Sequence, residues 1–178
     1  MLSHQISPWA WLSVLGMLAG CSTLAPLDPK AELPYCHKNN KGRPLVCTTA
    51  NAPSLLSDAE AKRFEPDPTA LTVFVVRRIW ADGRNVLKVS VDDGIEAETV
   101  PRSMVRLKLP PGRHVFSFKF DGTRYSTTIV GTAGEVRFIG LSGSVCAWHS
   151  SFDWATEPDA AIRQRAARSR LVADIAAR

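Results

Sequence analysis

The first twenty positions carry no formal side-chain charge: Met1 to Gly20 contain no Lys, Arg, Asp or Glu. The apolar run inside them, Trp9 to Ala19, is too short to span a bilayer, which takes roughly 20 residues. Several chemical signatures are missing as well. The chain has no phosphate-cradling glycine loop, no dinucleotide fingerprint, no paired metal ligands, no glycine-framed nucleophile and no evident oxyanion hole. It has no internal repeat and no helix–strand alternation. Charge of one sign is scarce too: 22 Lys and Arg stand against 17 Asp and Glu, a net +5 too scattered for nucleic acid. What is present is ordinary globular stock. Hydrophobic residues at 45% and charged residues at 22% of 178 suit one domain with extensions, and exclude collagen-like, coiled-coil and wholly disordered chains.

Residues 1–20 read as a signal peptide: an apolar stretch that closes on Leu18-Ala19-Gly20-Cys21. That tetrad resembles the lipobox of bacterial lipoproteins. The resemblance implies cleavage before Cys21, diacylation of its thiol (palmitate-type chains) and acylation of the new amine. It also implies a membrane-anchored, periplasm-facing protein, directed to the outer membrane by Ser22 if the cell has one. One feature departs from the pattern: Met1-Leu2-Ser3-His4-Gln5 lacks Lys and Arg. A buried helix with Cys21 as an ordinary thiol is the alternative; Pro8 and the abrupt stop at Cys21 disfavour it. At about 0.8 kcal/mol per buried methylene, several acyl chains anchor stably where one is marginal.

Residues 21–34, with Pro26, Pro29 and Pro34, read as a lipidated cysteine and flexible tether. Residues 35–69 read as a hairpin and a short helix. Cys36 and Cys47 stand around the turn-forming Asn39, Asn40 and Gly42, so in an oxidising compartment they are expected to form a disulfide. Metal ligation by Cys36, His37 and Cys47 is the other reading; it lacks a second close ligand pair. Ser57-Asp58-Ala59-Glu60 predicts a capping box with Ser57 as N-cap, and the helix must stop before Pro66.

From Ala70 the hydrophobic period becomes two. Strands are predicted at 71–76, 86–91, 95–100, 104–109, 114–120, 124–130 and 135–141, separated by Asp-Gly, Pro-Pro-Gly and Gly-Thr-Ala-Gly turns. The first is continuously apolar, as a strand inside a core should be. The expected fold is mainly β: an antiparallel β-sandwich of about seven strands over 70–155, with a short N-terminal helix and a C-terminal Arg-rich helix over 156–178 capped by Thr156. Val89-Ser90-Val91-Asp92-Asp93-Gly94, Leu107-Lys108-Leu109-Pro110-Pro111-Gly112-Arg113-His114-Val115 and Gly134-Glu135-Val136-Arg137-Phe138 resemble the PEGA-like domains of small bacterial lipoproteins of unknown function. The resemblance implies a transthyretin-like or immunoglobulin-like sandwich and no catalytic residue.

Cys146, His149 and Asp153 are the one grouping that invites nucleophilic catalysis. On one strand an odd separation points Cys146 and His149 apart, so only a turn unites them. The favoured reading is a structural thiol, and sequence leaves open its replacing either partner in the Cys36–Cys47 bridge. No catalytic residue, metal or cofactor is expected, and His114 is expected at the core or its rim. Arg163, Arg165, Arg168 and Arg170 are either a patch for anionic headgroups or a solvated face paired with Glu157, Asp159 and Asp174. The expected role is an accessory or interaction subunit of an envelope assembly, or a self-associating one. A module binding glycan, peptidoglycan or lipid through Trp80, Trp148 and Trp154 is the alternative, and a thiol enzyme the third.

Overall fold

The computed structural model describes residues 28–78, 83–146 and 149–177, except the side chains of 145, 146 and 149. The expected leader, Cys21, Trp80, Asp82 and Trp148 lie outside them. Among the described residues the order is β1 (Leu33–Lys38), β2 (Pro44–Ala52), α1 (Leu55–Ala61), β3 (Leu71–Arg77), β4 (Leu87–Val91), β5 (Ile95–Thr99), β6 (Ser103–Leu109), β7 (Gly112–Phe120), β8 (Thr123–Gly131), β9 (Val136–Cys146), β10 (His149–Trp154), α2 (Asp159–Ala167) and β11 (Arg170–Ala176).

Two sheets stack: β10-β9-β3-β6-β11 and β5-β4-β7-β8. Alternation drives them together. Val89, Val91, Phe116 and Phe118 from the four-stranded sheet meet Val73, Val75, Val105 and Leu107 from the five-stranded sheet in one core. The far face of the five-stranded sheet is apolar too, and both helices cover it. Phe74, Met104 and Phe138 there pack with Ala61 of α1 and Ile162 and Ala166 of α2. Phe74 stacks on Phe138 at 5.2 Å, and Phe64 meets the Phe74 ring edge-on at 5.0 Å. Both faces of β3 are therefore covered, and all seven of its residues are buried, as its continuous apolar run demands.

All seven expected strands are present, but the architecture is larger and mixed rather than antiparallel. β3 runs parallel to β9, and β6 parallel to β11. β9 continues past Leu141, where the predicted strand ends, and pairs with β10. The expected C-terminal helix is also corrected. α2 ends at Ala167 without a side-chain cap at its start, where Pro158 rather than Thr156 is the N-cap. Residues 170–176 form a strand instead, because β6 offers an unpaired edge and Arg106 clamps Asp174 through two hydrogen bonds of 2.9 and 2.6 Å. Leu171 and Val172 then reach opposite cores across a bulge.

The N-terminal part differs in two ways. The tether is shorter than expected: Pro29 O accepts from Leu56 N, and Pro34 pairs with Asn51, so residues 28–34 belong to the folded body. The α1 cap is Ser54, three residues before the expected Ser57; the Ser57 amide donates to Ser54 Oγ at 3.1 Å. Glu60 does not reach back, since Arg106 holds it at 2.7 Å and lowers its pKa.

Cys36 and Cys47 face each other in the β1–β2 ladder and are disulfide-bonded. Glu98 ties this hairpin to β5, accepting from Thr49 N and Oγ1, each at 2.8 Å. Replacing both cysteines by serine is expected to cost roughly 2–3 kcal/mol, measured as a shift of the urea midpoint. An unchanged midpoint would show that the ladder and the Glu98 contact hold the hairpin alone.

Candidate functional site

The Cys146–His149–Asp153 grouping is divided by the backbone. His149 pairs with Cys146 across β9–β10, so the first two are neighbours in the ladder. Asp153 pairs with Ser142 instead, four residues further along β10, or roughly 13 Å at the usual rise. Its carboxylate accepts from Trp154 N at 2.7 Å and is exposed. The ladder therefore sets the Asp153 backbone well apart from that of the other two. The alternative metal reading loses both sulfurs to the disulfide, and among the described residues no three metal-capable side chains cluster.

His114, expected at the core or rim, is buried at the start of β7. Its Nδ1–H donates to Asp92 Oδ2 at 2.7 Å and its Nε2–H to Pro110 O at 2.8 Å. A carbonyl oxygen and an ionised carboxylate can only accept, so both ring nitrogens must carry hydrogen for both bonds to form, which defines the imidazolium. Burial opposes that charge, yet the bonds to Asp92 and Pro110 outweigh it and raise the His114 pKa. Burial likewise opposes ionisation of Asp92, but the Val115 amide and His114 lower its pKa. This is a clamp between two turns and β7.

Trp154, one of the three rings considered for sugar stacking, packs against Phe118 at 5.3 Å, and its Nε1 is buried. The arginines are mostly engaged. Arg165 pairs with Glu157, Arg163 lies over the Phe64 ring at 5.4 Å, and Arg170 bonds to Pro53 O and lies 3.4 Å from Asp58. Asp159 and Asp174 pair outside the cluster, with Arg137 and Arg106. Only one of the three expected acids therefore serves the cluster.

Two surface features are open. The first is a groove of about 540 Å³ where the chain enters β1, lined by Asp28, Leu33, Tyr35, Leu55, Arg102 and Arg170 among others. Arg102 sits at φ 61° in the β5–β6 turn, and its carbonyl accepts from Arg170 N, which sets the two guanidinium-bearing residues side by side. Burial raises the Tyr35 pKa, with Arg102 and Arg170 opposing. Helix α1 turns an inverted face toward the sheet: it buries Asp58 and Ala61 and exposes Leu55 and Leu56. None of this was anticipated from sequence. A Leu-Leu pair in the first turn of a short helix whose buried side is polar was the available signal.

The second is the β8 edge. β8 bonds to β7 on one side only, through nine paired positions, and is the longest edge strand of either sheet. The other edges carry acids: β5 has Glu96 and Glu98, β10 has Asp153 and β11 has Asp174. β8 has no proline, lysine or acid, and its one charge, Arg124, is drawn aside to Asp93 and Ser117. Val130 on it is 62% exposed. Natural edges are usually blunted by charge, proline or bulges, and this one is not. No protein-family model matches the chain, and no curated protein matches it.

Proposed function

We propose that this chain is a lipid-anchored cell-envelope protein, acylated on Cys21, whose non-catalytic β-sandwich is an accessory or interaction subunit of an envelope assembly. The finer fold belongs to the same proposal: a transthyretin-like or immunoglobulin-like sandwich of PEGA-like type over residues 70 to 141. The observation that carries the interaction reading is the unblunted β8 edge. Val130 O on this strand accepts from Arg137 NH1 at 3.4 Å, but β8 has no strand partner on its outer side, and an edge of that kind takes an extended partner segment by strand addition, with alternate side chains read for specificity.

The test is chemical crosslinking of the protein in its own membranes, followed by purification and mass spectrometry. One dominant, near-stoichiometric partner, or a self-dimer, crosslinked through residues 123–131 supports the reading. In a Ser126→Lys, Thr128→Lys chain the crosslink should fall at least tenfold with the melting temperature unchanged, because both positions are exposed. Recovery of the chain alone sinks the interaction role and shifts the case to the glycan-, peptidoglycan- or lipid-binding alternative.

A further inference from the structure

We infer that the groove beside β1 and the exposed leucines of α1 form a membrane-resting face, which holds the body against the leaflet that carries its anchor. The inference rests on the anchored reading of Cys21 and adds an orientation to it.

Three observations converge on this surface. Leu33, Leu55 and Leu56 are 54%, 46% and 52% exposed, three of the largest apolar exposures among the described residues. Leu33 and Leu55 line one groove, and Leu56 N donates to Pro29 O of the incoming segment. The charge beside them is basic in excess, with Asp28 as the acid on the groove against Lys38, Arg102 and Arg170. Arg102 and Lys38 line this groove, and both also line an adjoining cleft of about 380 Å³ together with Lys41. Among the described residues none of these three cations is in an ion pair. The third observation is reach. Only six residues lie between Cys21 and the first described position, Asp28, so Asp28 stands no more than about 25 Å from an acylated Cys21.

These features select a lipid leaflet as the occupant. Leucines flanked by unpaired Lys and Arg match a surface with an apolar interior and anionic phosphates above it. A short tether also makes a small apolar patch sufficient, since the second contact is intramolecular and its effective concentration is high. A protein partner with the same affinity would need far more buried surface than three leucines offer.

The test uses the full chain purified from membranes and reconstituted into phosphatidylethanolamine–phosphatidylglycerol vesicles, read by amide hydrogen exchange. Residues 53–62 should exchange at least fivefold more slowly in the vesicle-bound wild type than in a vesicle-bound Leu33→Ser, Leu55→Ser, Leu56→Ser chain, with residues 123–131 matching in both. Arg102→Asn tests the charge separately, and Asn tolerates the left-handed backbone that Arg102 adopts. It should reduce the protection, more at low salt than at high. Equal exchange in wild type and triple variant overturns the inference. So does protection that arises only in native membranes and not in pure lipid, which would assign the face to a protein. Intact-mass spectrometry of the same sample reads acylation of Cys21 on its own. A chain without acyl mass refutes the anchor, and its face is still decided by the same comparison at excess vesicle lipid.

Discussion

Asp58→Ala is expected to destabilise the chain by about 3–4 kcal/mol, more than any other change of a single charged side chain considered above. Asp58 is buried on α1, where a carboxylate survives only with partners. It has three. Leu171 N donates to Oδ1 at 2.7 Å, Lys62 Nζ lies 2.7 Å from Oδ2, and Arg170 NH1 lies 3.4 Å from Oδ1. The Leu171 bond matters most, because it joins α1 to the first residues of β11. Truncation leaves that amide without an acceptor and the Arg170 guanidinium beside an emptied site, and both effects add to the cost. Asp58→Asn keeps an acceptor for Leu171 and should cost about half as much, whereas Lys62→Ala removes a partly exposed i,i+4 pair and should cost under about 1 kcal/mol. Denaturant melts of the three variants decide it. A loss below about 1 kcal/mol for Asp58→Ala would mean that water takes over at the junction.

The same contact explains what the sequence hides. Residues 159–176 are Ala-rich with no proline or glycine among them, so local propensity favours one helix to the end. The helix stops at Ala167 instead, and the remainder pairs with β6, a strand more than sixty residues upstream. The period-two alternation in Ala173-Asp174-Ile175-Ala176 is legible, half-buried residues taking turns with exposed ones. It is too short to outweigh propensity unless its partner is known. The Ser57 capping box fails for a similar reason. Ser54 and Ser57 are both good caps by type, and the choice falls to Ser54 once Arg106, from a distant strand, has taken Glu60.

Local chemistry was enough elsewhere. Asp121-Gly122 takes positive φ at both central positions, 47° and 72°, the type I′ geometry that an Asp-Gly hairpin announces. At Asp92-Asp93-Gly94 the two aspartates, not the glycine, adopt positive φ, and that twist sets Asp92 under His114. The open groove was invisible for a different reason. Its lining comes from residues 28–38, Leu55, Arg102 and Arg170, and only the β5–β6 turn and the start of β11 bring those stretches together. A surface assembled from four distant segments leaves no motif.

The His114 clamp is expected to make stability fall as the solution becomes alkaline. Its imidazolium donates both N–H groups, to Asp92 and to Pro110 O, so the folded chain holds a proton more tightly than the unfolded chain. The ordinary value for the free group is 6.5, and the folded value lies above it. The contribution is therefore complete below about pH 6.5 and is lost as pH rises through the raised folded value. Asp92 sets the acid limit: its pKa is lowered from an ordinary 3.8, so its share is present above that value and is lost as pH falls through the folded one. Between these limits His114→Ala should cost about 3 kcal/mol, through the lost charge-assisted bonds and the vacated ring space. Asp92 is half exposed, and solvent screening holds the figure near that level. Thermal melts of wild type and His114→Ala from pH 5 to pH 9 separate this group from the other three histidines, because only the difference between the two chains counts. That difference should be widest near pH 5.5 and narrow steadily toward pH 9. A gap that stays constant across the range would mean that His114 contributes its ring volume alone and that the Pro110 carbonyl is not held by a charged donor.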